Sequence, residues 1–128
     1  MSEYFQDYIY YRVAKSKESL NDARILAVNG SWNACINRLY YACYYIVSAL
    51  LIKNGFKTHT HSGLKTQLSL NFIKNGKVST VHGKLFADLM DWRQKGDYGD
   101  MFDFDRETVE PLIGQVEKFI DVIEILIE

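Results

Sequence analysis

The fold of this chain is decided by residues 31–55, which read SWNACINRLYYACYYIVSALLIKNG. No Pro or Gly interrupts the stretch before its last residue, and apolar side chains recur at helical spacing: Ala34, Leu39, Ala42, Ile46, Ala49 and Leu50. Tyrosines and further aliphatic residues fill most of the remaining circumference. The pattern predicts a helix buried on most sides, capped at its start by the Ser31 hydroxyl and ended by Gly55 in a left-handed conformation.

This central stretch also bears on where the protein works. It holds too many tyrosine hydroxyls and asparagines to indicate a membrane span. Its two cysteines, Cys35 and Cys43, lie two turns apart on one predicted helix, where they cannot form a disulfide. The acidic, tyrosine-rich N-terminus lacks the basic start and apolar run of a secretory signal. We therefore expect a reduced, cytoplasmic protein that does not contact a membrane.

Helical periodicity extends over the rest of the chain. It covers residues 3–28, a shorter segment with Leu64, Leu68 and Phe72, a segment from Ser79 or Thr80 to about Lys95, and a last segment from about Asp105. Gly96 is predicted to end the third of these segments. No stretch alternates with the period of a strand. We expect one domain over residues 1–128, an all-α, up-and-down bundle of four main helices plus a short one.

Charge is unevenly distributed although the net charge is only −1. No Asp or Glu occurs between Asp22 and Asp88, and this segment holds eight Lys or Arg residues and all three histidines. A basic middle segment favours a surface for phosphates or for an acidic partner. The alternative is that these charges balance the acidic terminal helix.

Few known chemical motifs are present. The cysteines and histidines lack zinc-ligand spacing, and no phosphate-binding or nucleophile-elbow string occurs, so we expect no metal and no cofactor. What remains is a group of polar residues at unusual places on the predicted helices: Asn33, Asn37, Arg38 and paired tyrosines on the central helix, His61 and Ser62 before the third, and Arg93, Asp97 and Tyr98 at the end of the fourth.

Three strings in this order and spacing, WNACINRLYYACYYIVSALLIKNG, THTHSGL and LMDWRQKGDYGD, resemble the HEPN family (higher eukaryotes and prokaryotes nucleotide-binding), in its small stand-alone prokaryotic branch. The resemblance covers nearly the whole chain. It implies a bundle of four to five helices that is usually dimeric. It also implies a gene beside a minimal nucleotidyltransferase, as a toxin and antitoxin pair. Many members of the family cut RNA through an Arg-x4-6-His motif at a helix end.

Arg93 matches the arginine of that motif, but Asp97 and Tyr98 stand where the histidine belongs. Metal-independent cleavage needs a group that takes a proton near neutral pH and a cation that stabilises the phosphate, roles suited to His and Arg. Tyr and Asp ordinarily titrate far from neutrality. The sequence therefore favours a module that binds a partner, nucleotide or RNA. The alternative is an endoribonuclease toxin that uses Arg93 with His61 or Tyr98.

The candidate site combines the polar residues on the predicted helices with the residues that match the family's arginine motif. The catalytic candidates are Arg93, Asp97, Tyr98 and His61, and the candidates for binding RNA or nucleotide are Asn33, Arg38, Ser62 and Lys65. We expect His61, Arg93 and Tyr98 to converge on one cleft. Purely structural roles are the alternative: Arg93 would pair with Asp97 or Asp100 at the end of its helix, and Arg38 would pair with an acid of the last helix.

Two partners are also expected. A chain with 48% hydrophobic and 14% aromatic residues has more apolar surface than a small bundle easily buries, which favours a homodimer. The family resemblance implies a nucleotidyltransferase that modifies a tyrosine near the arginine motif. Tyr98, flanked by Asp97 and Gly99, is the matching residue.

Overall fold

A computed structural model describes residues 3–128, and all regular secondary structure in this range is helical, with no β-strand. The elements in chain order are α1 (Glu3–Val28), α2 (Trp32–Lys53), α3 (His61–Leu68) continued by a π-helical segment (Ser69–Ile73), α4 (Thr80–Tyr98) and α5 (Arg106–Ile127). The predicted all-α bundle of four main helices and a short one is confirmed.

Helix α2 occupies the centre of the bundle. It packs against α1, α3, α4 and α5, and twelve of its 22 residues are buried. In the part of the chain that is described, α2 is also the one helix long and apolar enough to cross a membrane, judged by length and composition alone. Because 67% of that apolar window is buried among the other helices, its composition is explained by its place in the core.

Helices α1 and α2 run antiparallel and lie close together. The Ser16 hydroxyl of α1 donates to the carbonyl oxygen of Ala42 at 2.6 Å, and the Cys35 thiol of α2 donates to the carbonyl oxygen of Ala23 at 3.3 Å. Short side chains reach the backbone of a neighbouring helix only when the two helices approach closely. The small residues of this interface therefore set the spacing of the helix pair.

The prediction is confirmed at the C-terminal end of α2 but not at its N-terminal end. Gly55 follows the helix with a φ of 81°, in the left-handed region predicted for it. The predicted cap at Ser31 is wrong, because its side chain accepts no hydrogen bond from the start of the helix. Side-chain caps do start the later helices, at Thr60, Ser79 and Asp105.

The predicted end of α4 at about Lys95 is also wrong, since the helix continues to Tyr98. Gly96 lies inside the helix and serves close packing there. A Cβ atom at this position would lie 3.3 Å from the Phe104 ring and 3.6 Å from Cβ of Asn33. This close contact brings the end of α4 to the start of α2, where the candidate residues gather.

Candidate functional site

Four polar or aromatic residues form one line along α2, on the side opposite to its contact with α1. Asn33, Asn37, Tyr40 and Tyr44 are spaced by four, three and four residues, so they share one face of the helix. We call this line the polar face of α2. It meets the start of α3, the end of α4 and the loop that follows α4.

Tyr40 and His61 form the centre of the site. The Tyr40 side chain is completely buried, and its hydroxyl lies 2.5 Å from Nδ1 of His61. The His61 ring stacks on the rings of Tyr44 and Tyr40, with centroid distances of 4.7 and 5.7 Å. His61 is the first residue of α3, and the Thr60 cap, which accepts from the backbone N–H of Gly63 at 2.9 Å, fixes that helix start.

The surroundings of Tyr40 determine which ring nitrogen of His61 carries the hydrogen. Within residues 3–128, His61 is the one hydrogen-bond partner of the buried Tyr40 hydroxyl, and a buried hydroxyl hydrogen needs an acceptor. We therefore assign Tyr40 as the donor and Nδ1 as the acceptor. The ring hydrogen then sits on Nε2, which makes no hydrogen bond to the described part of the chain.

The same surroundings keep the imidazole neutral. Burial, and secondly the nearby Arg93 guanidinium, lower the pKa of His61 below its usual 6.5. Burial raises the pKa of Tyr40 far above its usual value of 10, so that the phenol stays protonated. At pH 7 the pair is therefore a neutral phenol donating to a neutral imidazole.

Arg93 reaches the same aromatic cluster from α4. Its guanidinium carbon lies 5.1 Å from the centroid of the Tyr40 ring and 5.8 Å from that of Tyr41. The side chain is only 13% exposed, and its Nε is buried without a hydrogen-bond partner. Its contact with Asp97, 3.7 Å between Nη1 and Oδ2, is longer than a hydrogen bond. The ion pair expected from a purely structural role is thus present, but it leaves hydrogen-bonding capacity unused.

Asn37 connects this arginine to a second one. Its Nδ2 donates to Oδ2 of Asp97 at 3.0 Å, and its Oδ1 accepts from Nε and Nη2 of Arg38 at 2.9 and 2.8 Å. Arg38 also stacks on the Tyr41 ring at 5.1 Å. Arg38 therefore bonds to its neighbour on α2 and adds a second cation beside Arg93.

Asn33 has a different environment. Its Nδ2 donates to the carbonyl oxygen of Phe102 at 2.9 Å, and its Oδ1 accepts from the backbone N–H of Phe104 at 2.8 Å. A weaker contact of 3.4 Å reaches the carbonyl oxygen of Gly96. Both ends of this amide are used to hold the loop after α4 against α2.

Tyr98 does not join the cluster. It is five residues after Arg93 on the same helix, which at about 100° per residue turns its side chain about 140° away. Tyr98 is 77% exposed and lines a shallow surface depression with Asp91, Gln94 and Lys95. The expected convergence of three residues is therefore wrong for Tyr98, whereas His61 and Arg93 do meet at the Tyr40 ring.

The two remaining binding candidates lie on α3. Ser62 is exposed, and its hydroxyl lies 3.4 Å from that of Thr60. Lys65, one turn after His61, is half-buried. In the range 3–128, no three His, Cys, Asp or Glu side chains come together as possible metal ligands.

Comparison with known sequences agrees with this arrangement of helices. The HEPN domain family model matches residues 9–126. The chain belongs to the HEPN family. A UPF0332 protein of Thermotoga maritima is 39% identical over 94% of this chain and 91% of its own length. Two proteins of Methanocaldococcus jannaschii that carry the name "Putative toxin" are 28% and 24% identical, each over 85% of this chain, covering 81% and 74% of their own lengths.

In this HEPN chain, a histidine from a distant part of the sequence lies with Arg93 at the Tyr40 ring. The residues at the family's histidine position, Asp97 and Tyr98, differ in their placement: Asp97 bonds Asn37, and Tyr98 points away. His61 comes instead from the start of α3, 32 residues before the arginine. Both contact Tyr40, so the sequence separation disappears in the fold.

The sequence identified the tyrosines of α2 in this HEPN chain only as a group and gave none of them a role. Tyr40 orients His61 and supports Arg93, and Tyr41 supports both arginines. A usable signal was present, because Tyr40 falls on the same helical face as Asn33 and Asn37. Arg12, which also stacks on tyrosines, gave no signal in the sequence.

Proposed function

We propose that this HEPN protein binds RNA phosphate at the cluster formed by Arg93, Tyr40 and His61, and that it works as the toxin-like member of a pair with a nucleotidyltransferase. The observation that carries the proposal is the incomplete hydrogen bonding of Arg93. Its carboxylate neighbour lies beyond hydrogen-bond distance, and the guanidinium makes no hydrogen bond to residues 3–128, so its terminal nitrogens are available to a ligand. A phosphate oxygen is an acceptor that a guanidinium binds with charge-assisted hydrogen bonds.

The tautomer of His61 supports binding in preference to cleavage. With Nδ1 accepting from Tyr40, Nε2 carries a hydrogen and can donate it to a phosphate oxygen. A general base needs a free lone pair at that nitrogen. Cleavage by His61 would require the Tyr40 hydroxyl to turn away from Nδ1, leaving its hydrogen without an acceptor in a buried place.

Aromatic rings around the cluster suit a single strand. Tyr41 and Tyr44 are half-buried, so part of each ring faces solvent, and Arg38 adds a cation beside Tyr41. Proteins that bind single-stranded RNA combine cations for the backbone with aromatic faces for the bases.

The test is fluorescence anisotropy with a labelled single-stranded RNA in a buffer that contains EDTA. Arg93→Gln should weaken binding by about tenfold, the equivalent of one charge-assisted hydrogen bond. The matched control is Arg24→Gln, since Arg24 is an exposed arginine of α1 that pairs with Glu117. Thermal melts of each variant show whether the fold is intact.

Two outcomes would contradict the proposal. Equal affinities of the Arg93→Gln and Arg24→Gln variants would exclude Arg93 as a phosphate ligand. Cleavage of the RNA by the wild type in EDTA, lost in His61→Gln, would show that the endoribonuclease alternative is correct.

We also propose two protein partners, a second copy of this chain and a nucleotidyltransferase that modifies Tyr98. The exposure of the Tyr98 phenol supports the second, because a transferase can reach it without unfolding α4. Light scattering of the purified protein tests the homodimer, and a monomer at micromolar concentration would contradict it. Co-expression with a minimal nucleotidyltransferase encoded beside this gene, followed by intact mass, tests the modification. A nucleotide-sized mass increase that persists in Tyr98→Phe would exclude Tyr98.

A further inference from the structure

A second arginine also has a buried Nε without a hydrogen-bond partner. Arg12 of α1 places its guanidinium over the rings of Tyr8 and Tyr45, at 5.2 and 5.5 Å, and its Nη2 donates to the Tyr8 hydroxyl at 2.7 Å. No ion pair to Arg12 exists in residues 3–128. Its charge is therefore held by aromatic rings, with one nitrogen unused.

Arg12 lines a cavity of about 250 Å³ between α1, α2 and the loop that joins α2 to α3. We call it the Arg12 cavity. The loop contributes Lys57 and His59, and aromatic walls come from Tyr44 and Phe56. No acidic side chain lines it, although the whole protein has a net charge of −1. A cavity with cations and aromatic rings but no acid suits an anion attached to a flat ring.

The Arg12 cavity adjoins the cluster around Arg93. Tyr44 lines the cavity, and its ring also stacks on His61 at 4.7 Å. A ligand in the cavity and a phosphate at His61 would therefore be separated by one tyrosine. This arrangement fits consecutive nucleotides of one strand as well as a free nucleotide.

We propose that the Arg12 cavity is a second nucleotide subsite, in which Arg12 and Lys57 bind a phosphate and the rings of Tyr44 and Phe56 contact the attached base. The shared chemistry is that of a nucleoside monophosphate unit, either free or within an RNA strand. The RNA case rests on the proposed function. The case of the free nucleotide stands independently of it.

The experiment uses the whole chain with two kinds of probe, AMP or UMP in calorimetry and a short single-stranded RNA in anisotropy. Arg12→Gln and Lys57→Gln should each weaken binding of both probes by about tenfold, because each removes a charge-assisted hydrogen bond. The slope of log affinity against log salt for RNA should fall by about 0.7 for each lost phosphate contact. Arg24→Gln on the same helix as Arg12 is the matched control and should retain wild-type affinity.

NMR provides a reading that needs no substitution in the cavity. AMP should shift the ring signals of His59, which lines the cavity, and leave those of His82 on α4 unchanged. Lys57 is an exposed loop residue, so Lys57→Gln remains informative if Arg12→Gln destabilises the fold.

The outcomes separate this proposal from the previous one. If Arg12→Gln and Lys57→Gln bind both RNA and AMP like the control while Arg93→Gln binds RNA more weakly, the second subsite is excluded and the proposed function stands. If RNA does not bind the wild type but AMP does, and Arg12→Gln loses it, the proposed function fails and the cavity remains a site for free nucleotides. Absence of binding by every probe would overturn both.

Discussion

The hydrogen bonding of polar groups differs between the two opposite faces of α2. On the face toward α1, the Ser16 hydroxyl of α1 donates to a backbone carbonyl oxygen of α2, and the Cys35 thiol of α2 donates to one of α1. On the polar face, Nε of Arg93 and Nε2 of His61 have no partner within residues 3–128. The hydrogen bonds of Ser16 and Cys35 are thus complete without a ligand, whereas those of Arg93 and His61 are not.

The difference separates residues that build the fold from residues available for binding. A buried polar group without a partner is costly, so its presence in a packed cluster requires an explanation. Tyr40 shows why burial alone is a poor guide: it is as buried as Cys35, yet it orients His61 toward the site. The useful criterion is whether the hydrogen bonds are satisfied.

The largest effect on stability is expected from the face toward α1. Ile46 lies one turn after Ala42 and is completely buried, so Ile46→Ala should lower the free energy of unfolding by about 2–5 kcal/mol. Ile125→Ala, at a residue that is 68% exposed, is the matched control and should stay within about 0.5 kcal/mol of wild type. Urea denaturation followed by circular dichroism measures both. Equal effects of the two substitutions would remove the contrast between the core and the surface.

Asn33 should have the next largest effect, because on the polar face it alone has both ends of its amide bonded to backbone. Asn33→Ala leaves the N–H of Phe104 without its acceptor, and we expect a loss of about 1–3 kcal/mol. Hydrogen exchange should also accelerate at Phe104. Asn21→Ala, at an exposed position of α1, is the control. Unchanged exchange at Phe104 in Asn33→Ala would mean that this amide does not hold the loop.

The fold could be predicted from the sequence because its signals are local. Helical spacing of apolar residues places α2 in the core, and Gly55 ends it as the pattern indicates. Gly96 misled the prediction because a glycine that ends a helix and a glycine that allows close packing look the same in one sequence. Its actual role depends on Asn33 and Phe104, which are distant in the chain.

The candidate site could be predicted only in part. Arg93 and His61 were identified, but their meeting depends on Tyr40, a residue that neither string around them contains. Tyr98 was placed with them because it follows Arg93 closely, whereas the unexpected extension of α4 turns it outward. The Arg12 cavity joins α1, α2 and a loop, so no single segment of the sequence indicates it.

A smaller effect is expected from the hydroxyl of Tyr40. Tyr40→Phe keeps the stacked ring and removes one hydrogen bond, so the free energy of unfolding should fall by about 1 kcal/mol. Tyr40→Ala would also remove the ring that supports Arg93, so its loss should exceed that of Tyr40→Phe. Urea denaturation of both variants separates the contribution of the hydroxyl from that of the ring. A loss in Tyr40→Phe as large as in Tyr40→Ala would contradict this division.

The last and smallest effect concerns the protonation of His61. Its pKa is lowered by burial and by Arg93, so the NMR midpoint of its ring signal should fall below 6.5 and should rise in Arg93→Gln. Arg24→Gln should leave the midpoint unchanged. Because the unfolded chain then binds the proton more readily than the folded one, His61 favours folding fully above pH 6.5, and this contribution disappears as the pH falls through the folded pKa.

The thermal midpoint of the wild type should therefore decrease more between pH 7.5 and pH 5.5 than that of His61→Gln, which keeps a polar side chain but does not titrate. The hydrogen bond from Tyr40 gives a further expectation for the pKa of His61. Protonation at Nδ1 would compete with this hydrogen bond and turn the Tyr40 hydroxyl away. Tyr40→Phe removes the donor that stabilises the neutral ring, so it too should raise the midpoint of His61. A midpoint that stays the same in both Arg93→Gln and Tyr40→Phe would mean that the three side chains do not act on one another. The polar face of α2 would then be no more than a second packing surface.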